Sequence, residues 1–297
     1  MWQEFFELMQ KGDTRSLARC ISFVENEVPG YEEMLLRLTE NNTPVIGITG
    51  PPGAGKSTMV DALLHEMVNK GKKVAVLCVD PSSPFNLGAL LGDRIRMSSW
   101  YNTPEVFIRS LATRGSLGGL HPKIVEITEL CKAAPFDYII VETVGVGQSE
   151  IEIAGLADVT IVVVVPEAGD EVQTMKAGLM EIADLFVVNK SDRPEADLFV
   201  KNLRSMLAPA FQKNQAIPIV KTEATNGTGI HTLWEHIQTL LSAQHTNEKK
   251  SWLLAERAWQ LIQSKRMKDI SKAALKQDIE KAQQKNNFNL YRFVSEL

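Results

Sequence analysis

Eight residues set between a strand-like run and a helix-like run constrain the fold of this chain most. Pro44-Val45-Ile46-Gly47-Ile48-Thr49 reads as a buried strand, Gly50-Pro51-Pro52-Gly53-Ala54-Gly55-Lys56-Ser57 follows without a break, and Met59 to Lys70 has the apolar spacing of an amphipathic helix that stops at Gly71. Gly50, Gly53 and Gly55 carry no side chains to keep a ligand off the backbone. Successive N–H groups can therefore turn inward, and the N-terminus of the following helix adds partial positive charge. Such a loop cradles a phosphate chain, with Gly53, Ala54, Gly55, Lys56, Ser57 and Thr58 as the candidate contacts. Lys56 is the mobile cation for the β- and γ-phosphates. The Ser57 hydroxyl is the expected Mg²⁺ ligand, because Mg²⁺ in such sites takes few protein oxygens and fills its remaining positions with water and phosphate.

A second motif decides which purine the cradle would hold. Asn189-Lys190-Ser191-Asp192 follows the apolar run Leu185-Phe186-Val187-Val188, at the carboxyl end of another strand. An Asp carboxylate there can accept from the N1–H and the exocyclic amine of guanine together, whereas adenine offers a lone pair at N1 and no amine at C2. Recognition by paired hydrogen bonds separates analogues by roughly 10⁴-fold or more. Asn189, Lys190 and Asp192 are thus the candidate guanine-binding residues, with GTP and GDP as the ligands.

Further short apolar runs recur at Val74 to Val79, Tyr138 to Val141, Val159 to Val165 and Ile217 to Val220, with room for a crossover helix between them, and Phe107-Ile108-Arg109 adds a possible further strand. The expected fold is α/β, a P-loop NTPase core with a mainly parallel sheet flanked by helices, plus helical extensions at both ends. The expected division is an N-terminal helical extension over 1–43, the nucleotide domain over 44–245 and a C-terminal helical arm over 246–297. With 297 residues, 44% of them hydrophobic, the chain can bury a full core. Its most apolar stretch, Val159 to Val165, is too short to span a bilayer. The start, Met1-Trp2-Gln3-Glu4-Phe5-Phe6-Glu7, lacks the basic region of a secretory signal. Cys20, Cys78 and Cys131 are far apart and read as reduced core thiols. A cytoplasmic protein with no membrane partner is the expectation.

Three acids stand where a metal and an attacking water would need them. Asp80 closes the second strand, Asp93 lies in Gly92-Asp93-Arg94-Ile95-Arg96-Met97, and Glu142 closes a further strand in Val141-Glu142-Thr143-Val144-Gly145-Val146-Gly147-Gln148. A carboxylate beside the phosphate loop can hold Mg²⁺ waters, and the N–H of Gly145 can report whether a γ-phosphate is present. Lys56, Asp80, Asp93, Glu142 and Gly145 form the candidate catalytic set, and Ser57, Asp80, Asp93 and Glu142 the candidate Mg²⁺ set. From Pro81 to about Leu120 the connection far exceeds the ~4–6 residues typical of compact domains, and its Gly and Arg content suits moving parts and partner contacts.

Taken together, Gly-Pro-Pro-Gly-Ala-Gly-Lys-Ser at 50–57, Val-Asp-Pro-Ser-Ser at 79–83, Gly-Asp-Arg-Ile-Arg-Met at 92–97, Arg-Gly-Ser-Leu-Gly-Gly at 114–119, Glu-Thr-Val-Gly-Val-Gly-Gln-Ser-Glu at 142–150 and Asn-Lys-Ser-Asp at 189–192 resemble the MeaB/ArgK family of GTPases, which includes the methylmalonic aciduria type A protein. The resemblance runs from about Gly12 to Ile230. It implies a GTP-hydrolysing chaperone for an adenosylcobalamin-dependent acyl-CoA mutase, most often methylmalonyl-CoA mutase, that gates cobalamin loading and protects or reactivates the mutase. It also implies that 142–150 is the nucleotide-sensing switch and that the arginine-bearing part of 86–115 answers to the mutase. At the last guanine-contact loop the family's common Ser-Ala is replaced by Glu223-Ala224, where the N–H of Ala224 is the candidate donor to the guanine oxygen.

Both ends extend past this core. Phe5-Phe6, Leu8-Met9, Leu17-Ala18, Ile21 and Val24 recur at helical spacing, as two helices packed on the core would require. Residues 246–297 hold eleven Lys and Arg against six Asp and Glu, so they contribute +5 to a chain whose total is −4. The stripe Trp252, Ala255, Trp259 and Ile262 reads as a packing face, and the resemblance implies a homodimer arm. The pI of about 5.8 and the lack of a recognised motif argue against nucleic acid. Five dispersed histidines and no C-x-x-C argue against a bound metal other than Mg²⁺. The rival reading is the ATPase component of a basic amino-acid transport system for lysine, arginine or ornithine.

Overall fold

The computed structural model describes residues 2–80, 97–113, 120–143, 150–166, 179–207, 217–243, 248–267, 270–284 and 288–295. Its centre is a seven-stranded sheet made of β1 (Val45–Thr49), β2 (Val74–Asp80), β3 (Val106–Ala112), β4 (Tyr138–Glu142), β5 (Val159–Val164), β6 (Leu185–Val188) and β7 (Ile219–Lys221). The order across the sheet is β3-β2-β4-β1-β5-β6-β7, and every pairing is parallel. All residues of β1, β2, β5 and β6 are buried, which is why these strands read as unbroken apolar runs and not as alternating ones. The edge strands differ. β3 has half-buried residues at its centre and β7 ends on the exposed Lys221.

Helices connect the strands and supply the remaining core. Helix Lys56–Asn69 follows β1 and buries Met59, Val60, Leu63, Leu64 and Met67. Helix Ile230–Ser242 packs against it, with Leu233, Trp234 and Ile237 fully buried and the Trp234 ring edge-on to Tyr138 at 5.1 Å. The N-terminal segment forms helices Trp2–Gln10, Thr14–Glu25 and the short Tyr31–Leu35. Their inward faces, among them Phe6, Met9, Leu17, Ile21 and Val24, are buried, and the second helix packs on helix Ile124–Lys132. Cys20, Cys78 and Cys131 are free and buried. Burial pushes the Cys20 thiol up to about 11 and that of Cys131 up to about 12, so neither forms a thiolate near neutrality.

The chain divides into two compact units, Met1–Lys250 and Ser251–Leu297. Within the second, helices Lys272–Gln283 and Leu290–Ser295 follow the end of helix Glu248–Arg266, and Trp252, Trp259, Ile262 and Tyr291 are exposed. No helix among the described residues is long and apolar enough to cross a membrane.

Candidate active site

The loop that leaves β1 emerges between β4 and β5, where the connections diverge to the two halves of the sheet; parallel α/β sheets open a crevice at their carboxyl ends at such a point. Gly50 and Gly55 adopt φ of 139° and 87°, values that L side chains rarely take. A Cβ on Gly50 would strike the carbonyl oxygen of Val163, and one on Gly55 would strike the side-chain amide of Asn189. At Gly50 the neighbouring backbone itself leaves room for nothing else, and at Gly55 the left-handed φ and the Asn189 amide together favour glycine. The buried Lys56 folds back over the loop, its Nζ donating to the carbonyls of Gly50 at 2.9 Å and Pro51 at 3.1 Å. Thr58 is half-buried in the same first helical turn.

Register carries the acids to this loop. Glu142 stands opposite Ile48 of β1 and Cys78 of β2, and its Oε1 accepts from the Ser57 hydroxyl at 2.7 Å, both side chains being buried. Asp80, also buried, closes β2 on the far side of β4. Hydroxyl and carboxylate oxygens are the hard donors that Mg²⁺ prefers. No group of three or more His, Cys, Asp or Glu poised to hold a metal occurs among the described residues. Asp93 and Gly145 lie outside the described residues, as does Gln148.

Asn189 joins the two ends of the crevice. Its Nδ2 donates to the carbonyl of Ala54 at 2.9 Å, while its Oδ1 accepts from the N–H of Ala224 at 3.1 Å and from the Thr222 hydroxyl at 3.2 Å. The amide of Ala224, offered to guanine by the sequence, is thus engaged by Asn189. Lys190 takes a left-handed φ of 56°, which turns the chain so that the N–H of Ser191 reaches the carbonyl of Thr222 at 3.1 Å and leaves Asp192 exposed. The base-side motif and the phosphate loop are one hydrogen-bonded unit.

Two structural contacts had no counterpart in the motif reading. Thr143, the last described residue before 144, donates its hydroxyl to that of Thr49 at 2.9 Å, and its N–H bonds to Ile48. Trp100 donates its indole N–H to Asp61 of the loop's helix at 2.7 Å and lies against the ring of His65 at 4.5 Å. A threonine following a strand-end glutamate, or a tryptophan past a long Gly-rich connection, carries no periodic signal that would single it out.

A protein of Pyrococcus horikoshii named as a GTPase is 48% identical over 241 residues, covering 79% of this chain and 76% of its own. The mitochondrial methylmalonic aciduria type A homolog of Caenorhabditis elegans is 39% identical over 207 residues, covering 64% and 52%. The crystal structure of a LAO/AO transport system kinase matches with a TM-score of 0.66 at 25% identity, over 99% of this chain and 95% of that one. The family model described as methylmalonyl Co-A mutase-associated GTPase MeaB matches residues 17–279. The chain therefore belongs to the MeaB family, and it is a GTPase built on the P-loop fold.

Proposed function

We propose that this GTPase binds an adenosylcobalamin-dependent acyl-CoA mutase, most simply methylmalonyl-CoA mutase, and that its GTP and GDP forms gate cobalamin loading and protect or reactivate that enzyme. The observation that carries the reading is a loop, braced by Asn189 and carrying the Ser57–Glu142 contact, in a chain whose family is described as mutase-associated. In this reading Lys56 leaves the Gly50 and Pro51 carbonyls to meet the β- and γ-phosphates. The backbone N–H groups of Gly53, Ala54 and Gly55 line the phosphates beside Thr58. Ser57, Glu142, Asp80 and Asp93 would hold Mg²⁺ and its waters. When bound, Mg²⁺ supplies charge neutralisation at the β- and γ-phosphates. Gly145 senses the γ-phosphate, and Asp192 with Lys190 and Asn189 selects guanine. A second copy pairs through the apolar stripe of the C-terminal unit.

Phosphoryl transfer depends on positioning and charge more than on covalent help, so slow turnover alone and acceleration by the partner are expected. The test is capture of a cobalamin-dependent mutase on the immobilised protein loaded with a non-hydrolysable GTP analogue or with GDP. Retention that differs between the two forms supports the switch, and equal or absent retention refutes it. A second reading, the ATPase component of a basic amino-acid transport system, is favoured by the name of the LAO/AO transport system kinase. ATP displacing bound GDP as well as GTP does would move the balance to it.

A further inference from the structure

The two edges of the sheet are finished differently. At β3, Arg109 pairs with Glu25 and donates to the Ser22 hydroxyl at 3.0 Å, which ties helix Thr14–Glu25 to that edge. At the opposite edge, among the described residues, β7 pairs with β6 alone. Crossovers between parallel strands are right-handed, so helix Ala196–Leu207, which links β6 to β7, lies on the face opposite helix Lys56–Asn69, which links β1 to β2 in the other direction. Helix Ile230–Ser242 packs on Lys56–Asn69 and shares its face. The β7 edge is consequently flanked by one helix from each side. Between them runs a cleft of about 570 Å³ with Val200, Ile219 and Val220 among its lining and Lys201, Arg204, Lys221 and His236 at its walls.

The charge of this cleft is one-sided. Its single carboxylate among the described residues, Asp197, is taken up by Lys221 at 2.7 Å. Among the described residues no side chain forms an ion pair or hydrogen bond with those of Lys201, Arg204 or His236. Lys201 and Arg204 are exposed and three residues apart on one helix, which sets their Cβ atoms ~5–6 Å apart. That is close to the ~7 Å between same-face residues of an extended chain. Exposed cations on a helix beside the outer edge of a strand suit a segment that brings its own backbone hydrogen bonds, whereas a small anion would need convergent, buried donors.

We propose that this cleft docks an extended acidic segment of a partner protein, which adds as a strand beside β7 and sets alternate carboxylates against Lys201, Arg204 and His236.

The probe is a short fluorescent peptide alternating glutamate and valine, titrated into the full chain by anisotropy, with a backbone N-methylated copy of equal charge alongside. The peptide is expected to bind and to slow amide exchange at residues 219–221. The double reversal K201E/R204E, at exposed positions and checked for an unchanged melting temperature, should weaken it at least about tenfold, as loss of two facing charges requires. The N-methylated copy should fail. No binding of the unmethylated peptide, equal binding by the double reversal, equal binding by the N-methylated copy, or displacement of the peptide by inorganic pyrophosphate at comparable concentration would each overturn the proposal.

Discussion

At residue 189 one side-chain amide fixes two loops, and this makes Asn189 a structural residue. Replacing it by Ala leaves the Ala54 carbonyl and the Ala224 N–H without their partner in a buried setting, where each unsatisfied group costs about 1–3 kcal/mol. Asn189→Ala should therefore lower unfolding stability in urea by about 2–3 kcal/mol and weaken GDP and GTP alike by more than tenfold. A variant as stable as the parent and changed only in base preference would show that the brace is unimportant. Lys56→Ala should divide the effects the other way. Its removal deprives two loop carbonyls of a donor but also relieves the burial of an ammonium, so folding changes less, while loss of charge at the phosphates should reduce hydrolysis by about 10²–10³-fold in single-turnover assays.

At the scale of elements, the helix Thr14–Glu25 starts from a cap whose energetics can be checked by pH. Asp13 Oδ2 accepts from the N–H of Ser16 at 2.9 Å, and hydrogen bonding from the Ser16 side chain and then its amide holds the Asp13 carboxyl below the usual carboxylate range. A carboxyl whose folded pKa is depressed adds stability that is present above its unfolded pKa, near 3.9, and is lost as pH falls through the folded one. Asp13→Ala should thus cost about 1 kcal/mol at neutral pH, and the gap should narrow below about pH 4. A gap of constant size from neutral pH to pH 3 in denaturant titrations would rule out a charged cap. The elements most legible in the sequence were those with the simplest burial. β1, β2, β5 and β6 are covered on both faces and announce themselves as apolar runs. β7, expected at Ile217 to Val220, begins after Pro218, which cannot donate to the ladder, and extends to the charged Lys221 that an edge tolerates. Helix Tyr31–Leu35, only five residues long, is too short to show a period. The candidate site was legible residue by residue through its motifs. The Ser57–Glu142 and Asn189–Ala54 contacts join positions 85 and 135 residues apart, and only strand order brings those together.

Across the whole molecule, composition is divided as the two units are. The C-terminal segment 246–297 carries +5, with eleven Lys and Arg against six Asp and Glu, in a chain whose total is −4. It also holds most of the large apolar side chains left in solvent, with Trp252 78%, Trp259 58% and Tyr291 85% exposed. A monomer rarely presents so many together, because each such side chain, once buried, contributes about 1.5–3 kcal/mol. Trp252 and Trp259 are seven residues apart on helix Glu248–Arg266, two turns along one face, so a twofold partner could bury both of them on each copy. Light scattering during size exclusion should accordingly give twice the chain mass for the parent protein. Trp252→Glu with Trp259→Glu should give the single-chain mass, since four carboxylates facing one another across a desolvated seam would repel. The melting temperature of the nucleotide unit should stay put in that variant, because neither tryptophan belongs to its core. If the doubly substituted chain still elutes at twice its mass, the stripe is not the dimer seam; if the parent itself runs as a single chain, these indoles are left for a different protein to cover.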